Sequence, residues 1–219
     1  MPVTINGDGS IVGLAVGGLP DGSVDADTLA ANAVTSGKLA SNAVTTTKIA
    51  NSAVTSVKTS GLGGLSMADI WRLSSGGTLG TDSITYFTSD WERADTYGSG
   101  QLGSGMTESS GVFTFPSTGI YQVTAMMQFK RNSGENRFAD LNIQVTTDNN
   151  TYNTAAFGAA SFAQNYSTNT AVANLFLDVT NVSTHKVRFC AYTNRSSILY
   201  LANSSSNACS FTFLKLGET

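Results

Sequence analysis

Residues 111–129 read GVFTFPSTGIYQVTAMMQF, and the two-residue period of this stretch decides the fold class. Positions 112–115 form a short β-branched and aromatic run, and 116–119 hold turn chemistry. From 120 to 129 the chain alternates, so that Tyr121, Val123, Ala125, Met127 and Phe129 share one face. The same period recurs on both sides. Strands are expected at 70–73, 84–88, 112–115, 120–129, 138–147, 154–162, 170–180, 185–192 and 208–216. Ala139, Leu141, Ile143 and Val145 oppose Asp140, Asn142 and Gln144, and Val187, Phe189 and Ala191 oppose Arg188 and Tyr192. Short alternating strands with turn-rich gaps and no helical window predict an all-β head, a two-sheet jelly-roll sandwich. Its expected core includes Phe113, Phe115, Tyr121, Val123, Leu141, Ile143, Phe189, Phe211 and Phe213.

Composition narrows the function. Only 12% of the 219 residues are charged, about half the usual share, as for a surface partly covered by other subunits. A net charge of −3 without a Lys/Arg cluster excludes a sequence-independent nucleic-acid binder. No apolar run approaches the roughly 18 residues of a membrane span, and MPVTINGDGS lacks the basic and apolar regions of a signal peptide. Neither membrane insertion nor secretion by that route is expected. Cys190 and Cys209 have opposite strand parity and no C-x-x-C or histidine neighbours, so free, largely buried thiols are expected.

Upstream of the head the period changes. Residues 27–36, 37–46 and 47–56 read DTLAANAVTS, GKLASNAVTT and TKIANSAVTS, a decapeptide repeat. Apolar residues recur at every fifth position: Val24, Leu29, Val34, Leu39, Val44, Ile49 and Val54. Five matches neither helix nor strand. A Thr or Ser stands as an N-cap before each x-Lys-Leu-Ala or x-Lys-Ile-Ala turn, and Asn-Ala-Val-Thr reads as extended, so short helical turns are expected to alternate with extended links. One copy of such a stripe cannot bury itself, which implies several chains wound about a common axis. Residues 1–21 alternate small apolar residues with glycines and order only against something else, as a flexible leader or an attachment peptide. The expected organisation is 1–21 attachment segment, 22–60 oligomeric stalk, 61–67 hinge and 68–219 head.

Reactive chemistry is sparse. His185, the one histidine, stands at a strand entrance beside Lys186 and reads as a solvated turn residue. Asp90, Glu92 and Asp95 form the densest carboxylate group, and the interleaved Arg93 makes it read as a solvated loop with local ion pairs. GLGGLS at 61–66 lacks the Lys-Ser or Lys-Thr of a phosphate loop. No catalytic residue, metal site or cofactor is expected, and the chain reads as a non-enzyme.

Two stretches resemble known families. Phe113, five residues, then Gly119-x-Tyr121-x-Val123 resembles the signature of the globular head of the first complement component, a tumour-necrosis-factor-like jelly roll that forms tight trimers. The closing segment Asn207-Ala-Cys-Ser-Phe-Thr-Phe-Leu-Lys-Leu is similar to that family's final strand. Val123 and Ala125 stand where the family prefers aromatics. The decapeptide units resemble the stalks of bacteriophage tail fibres, which precede small trimeric heads. Together these resemblances imply a homotrimeric virion fibre, assembled in the host cytoplasm and bound through residues 1–21 to tail or baseplate proteins. Its head would read a host cell-surface glycan or other receptor. If the stalk and the C-terminus lie at the base, loops 130–137, 163–169 and 194–207 form the tip. Their candidate contacts are Lys130, Arg131, Glu135, Asn136, Arg137, Gln164, Asn165, Tyr166, Asn194, Arg195 and Asn203, amides, arginines and a tyrosine suited to sugar hydroxyls and ring faces. The 116–119 turn is then placed at the stalk end. A purely structural or decoration fibre is the second reading, and a polysaccharide depolymerase the third.

Overall fold

A strand that is apolar on one face needs a second sheet to cover it, and the computed structural model of the chain supplies one. The structure describes residues 4, 5, 7, 11, 12, 29–51, 53, 54, 65–133, 138–194 and 198–219. It divides into two units, Met1–Ser60 and Gly61–Thr219.

In the first unit β1 (Thr4–Ile5) pairs antiparallel with β2 (Ile11–Val12). The repeat then folds with a period of ten. Single 3₁₀ turns occupy Ser36–Lys38 and Thr46–Lys48. Before each lies a β-turn, closed by Ala33 N donating to Ala30 O at 2.9 Å and Ala43 N to Ala40 O at 3.0 Å. Asn32 and Asn42 sit in these turns with φ of 62°, a conformation that asparagine tolerates better than most residues. The Asn-Ala-Val-Thr link is therefore a turn followed by an extended residue, which corrects the expectation of a wholly extended link. The capping expectation is corrected too: Thr35 and Thr45 hold the extended N-cap backbone but make no side-chain capping bond. Lysine closes the unit instead, with Lys38 Nζ donating to Ala33 O at 2.7 Å and Lys48 Nζ to Ala43 O at 2.8 Å.

The second unit contains β3 (Met67–Leu73), β4 (Ser75–Thr78), β5 (Ser83–Tyr86), β6 (Trp91–Arg93), β7 (Thr107–Ser109), β8 (Val112–Thr114), β9 (Gly119–Arg131), β10 (Phe138–Thr146), β11 (Asn153–Ser161), β12 (Thr168–Val179), β13 (Lys186–Thr193), β14 (Ile198–Asn203) and β15 (Cys209–Gly217). One sheet runs β11-β10-β13-β8-β7, with β5 also on β13; the other runs β4-β14-β9-β15-β3-β6, with β12 along the other edge of β9. Neighbouring strands pair antiparallel throughout the described residues. The result is a jelly-roll sandwich.

The central strand β9 follows its sequence pattern: Tyr121, Val123, Ala125, Met127 and Phe129 are fully buried. The nine side chains read as core are each at most 2% exposed. They close on an aromatic cluster in which Trp91 lies 4.8 Å from Phe113 and 4.6 Å from Phe211, with Phe189 4.5 Å from Phe211. The two Trp91 contacts are edge-on and the Phe189–Phe211 contact is tilted; aromatic pairs of this kind add about 0.5–1.5 kcal/mol each beyond burial. Where β7 turns into β8, Ser110 and Gly111 both have positive φ, as a two-residue hairpin turn requires. A Cβ on Gly111 would overlap the Phe87 carbonyl.

In the acidic group at 90–95, Asp90 and Asp95 are exposed as expected, but the ion pairs are not local. Glu92 and Asp95 both bond Arg72, at 2.7 and 2.9 Å, and Arg72 is 1% exposed. Arg93 bonds the buried Asp69 at 3.0 Å, and Asp69 also accepts from Trp71 Nε1 at 2.9 Å and Met106 N at 2.7 Å. The partners come from β3, about 20 residues earlier, beyond the reach of local spacing. His185 is likewise buried rather than solvated. Its Nδ1 lies 3.1 Å from Asn181 O, within the turn joining β12 to β13.

Candidate functional site

Ladder register fixes the two ends of the sandwich. At one end Gly119 pairs with Val179, and Lys215 Nζ donates to Ser117 Oγ at 3.1 Å. Met67, opposite Lys215, enters at the same end, and the chain leaves there beyond Gly217. The 116–119 turn therefore lies at the end where the head's first strand begins and its last strand finishes. At the other end Lys130 pairs with Thr168, Arg131 with Ile198, and Phe138 with Ser161. The described parts of three connections start from this end: 132–133 after β9, the 162–167 turn, and Asn194 after β13.

This far end brings together Lys130, Arg131, Gln164, Asn165, Tyr166 and Asn194. Arg131 N donates to Ser167 O at 2.9 Å, and Ser167 Oγ to Gln164 O at 2.6 Å, which closes the 162–167 turn. Tyr166 crests that turn with φ of 60° and is 69% exposed. Gln164, Asn165 and Asn194 are exposed beside it. Glu135, Asn136, Arg137 and Arg195 lie outside the described residues, as does Val24 of the repeat.

Asn203 is not part of this end. The expected 194–207 loop contains β14, which pairs with the end of β9 and with β4. Asn203 sits at the far end of that strand. Its Oδ1 accepts from Ser205 N at 2.9 Å and Ser206 N at 2.8 Å, so the amide is used in a local turn. It borders an uncharged recess of about 590 Å³ with Gly77, Gln128, Leu199 and Tyr200. The apolar run Ile198-Leu199-Tyr200-Leu201 was the available sequence signal for this strand.

The outward faces of the two sheets differ in chemistry. On the seven-stranded sheet, register places Val172, Met126 and Ser210 in one row, Asn174, Thr124, Thr212 and Ile70 in the next, and Phe176, Gln122, Leu214 and Ala68 in a third. The second and third rows carry no charge, the first runs on into the Arg72–Glu92 ion pair, and Val172 and Phe176 are well exposed. On the six-stranded sheet the outward row contains Asp140, Asn142, Gln144, Arg188 and Tyr192. Arg188 lies 4.4 Å from the Tyr86 ring and 4.0 Å from the Tyr152 ring, and its Nε donates to Gln144 Oε1 at 2.9 Å. Sequence reading placed Arg188 outward but gave no sign of these partners. The hydrogen bond to Asp82, at 2.7 Å, holds the Tyr192 phenol above its usual pKa, and burial raises the Asp140 carboxyl. On this same face, between Arg188 and Tyr192, burial pushes the Cys190 thiol up to about 11, and on β15 it pushes Cys209 to about 12. Both cysteines are free and buried. Among the described residues no three His, Cys, Asp or Glu side chains group to hold a metal.

No family model and no curated protein matches the chain. Among solved structures, murine APRIL at pH 5.0 superposes with a TM-score of 0.50 at 12% identity, over 68% of this chain and 98% of that one. The Eiger TNF of S. frugiperda does so with a TM-score of 0.50 at 14% identity, over 69% and 93%. The head has a tumour-necrosis-factor-like jelly-roll fold. In this jelly roll the β9, β12 and β15 strands share the seven-stranded sheet, and the polar Arg188 face belongs to the other. The PRD1 vertex protein P5 overlays at a TM-score of 0.44 and 17% identity, over 71% of this chain and 100% of that one.

Proposed function

We propose that this chain is the subunit of a homotrimeric bacteriophage tail fibre. Residues 1–21 attach it to tail or baseplate proteins, 22–60 form an intertwined stalk, 61–67 a hinge, and the jelly-roll head recognises the host surface. The observation that carries this reading is the repeat. Leu29, Val34, Leu39, Val44, Ile49 and Val54 are each between 40% and 56% exposed in the single chain. Repeated apolar groups of this size, set at one spacing, favour burial against identical neighbours. Six such residues per chain, contributed by three chains, would form layers along one axis. The uncharged middle of the outer face of β9, β12 and β15, between Lys130 and Asp178, supports head-to-head contact in the same assembly.

Recognition is assigned to the far end around Arg131, Gln164, Asn165, Tyr166 and Asn194, because these residues are polar, all but the half-buried Arg131 are exposed, and they lie opposite the end where the first strand enters. Three copies convert weak single-site affinity into useful avidity. The test is adsorption competition: purified full-length chain, added before virus, should block attachment to host cells and bind extracted surface polysaccharide. Absence of both would favour the purely structural fibre. A loss of polysaccharide viscosity on incubation would point instead to depolymerase activity.

A further inference from the structure

Arg188 differs from the other arginines of the head whose pairing is described. Arg72 and Arg93 each meet a carboxylate. Arg188 meets none among the described residues. It is held rigidly all the same. Tyr86 approaches from β5 on one side of β13, and Tyr152 from beyond β10 on the other. Gln144 Oε1 takes its Nε–H, and Gln144 Nε2 is itself tied to Thr154 Oγ1 at 3.3 Å. The two Nη groups remain available as a preorganised fork. Glu108 does not neutralise them: it pairs opposite Phe113, on the inward side of the sheet, and its Oε1 accepts from Gly111 N.

Beside the guanidinium is a recess of about 180 Å³, at the seam where β5 ends and β8 begins along the same edge of β13. Tyr86, Thr88 and Ser110 border it, with Phe189 among its lining residues. Sites that enclose a drug-sized ligand start at roughly 300 Å³, so this one takes a single end group. We infer that the Arg188 recess binds the carboxylate of an acidic sugar. The Nη edge matches a planar carboxylate in bidentate fashion, the Tyr86 ring at the border of the recess offers an apolar surface to the pyranose, and Ser110 and Thr88 offer hydroxyls, while Tyr152 holds the guanidinium in place from the other side. One cation with one free edge suits a monoanion better than a phosphate dianion. The site lies on the sheet, apart from the far-end loops, and its test reads binding directly whether or not the chain forms a fibre.

The experiment is NMR titration of the full chain with glucuronate, glucuronate methyl ester and glucose 1-phosphate. Glucuronate should saturate in the millimolar range and shift the Arg188 Nε–H and the Tyr86 and Tyr152 ring signals. The methyl ester, which lacks the charge, should bind at least tenfold more weakly to the unaltered protein. Arg188→Lys, with melting checked to be unchanged, should lose binding by a similar factor because charge remains but the fork does not. Tighter binding of the phosphate, equal binding of the ester, unchanged binding by Arg188→Lys, or shifts confined to residues elsewhere would each overturn the assignment.

Discussion

The repeat and the head handle apolar side chains in opposite ways. In the head, a two-residue period turns Tyr121, Val123, Phe211 and Phe213 toward a facing sheet, and one chain is enough to cover them completely. In the repeat, a five-residue spacing sets Val34, Leu39, Val44 and Ile49 on a backbone of alternating turns, and each stays about half exposed. The first region has a core of its own; the second has one only if other chains supply the rest. The head's stability should therefore be a property of the chain, and the repeat's a property of the assembly and its concentration.

The largest expected effect lies in the head. Phe213→Ala removes a ring from the buried aromatic cluster and should cost about 3–5 kcal/mol, seen as a lower midpoint of the head transition in urea. If that midpoint stayed put, the covered core would not be what stabilises the head. Next is Asp69→Ala, which leaves Arg93, Trp71 Nε1 and Met106 N without their shared acceptor. The loss should be about 3 kcal/mol, near the lower end for breaking a buried pair because Arg93 is partly exposed. Asp69→Asn should recover part of it.

The repeat should answer differently. Val44→Ala should leave the head's transition unchanged and weaken association by about 1 kcal/mol per chain, measured as a shift in the concentration at which the oligomer dissociates. A change in the head transition instead would blur the contrast. The smallest effect concerns the thiols. With burial holding Cys190 near 11 and Cys209 near 12, the thiolate is scarce at pH 8 and access is closed. A disulfide reagent should count no reactive thiol in the native protein and two after denaturation; a fast native reaction would show that β13 or β15 opens.

The difference between the regions also explains what could be read in advance. Long alternating strands such as β9, β10, β12, β13 and β15 were legible because their period is local. Ser75–Thr78 has the sequence SGGT, with no apolar residue to alternate, and Trp91–Arg93 and Thr107–Ser109 are too short to establish a period. The partners of Glu92, Asp95 and Arg93 were hidden because β3 brings them in from a distance. The same applies to the Arg188 recess: its Tyr86 and Ser110, and the Tyr152 ring that holds the guanidinium, belong to separate segments and meet only when β13 is paired on both edges. In the repeat the turn–turn rhythm was half legible. Asn32 and Asn42 were read as extended, although asparagine is among the residues that best accept the left-handed turn found there.

The central claim is that the exposed stripe of the repeat is covered by copies of the same chain. Native mass measurement of the full-length protein tests it most directly. A mass of three chains, falling to one when Val34, Val44 and Val54 are all changed to Asp while the head transition is retained, is the expected result. A single-chain mass for the unaltered protein would contradict it.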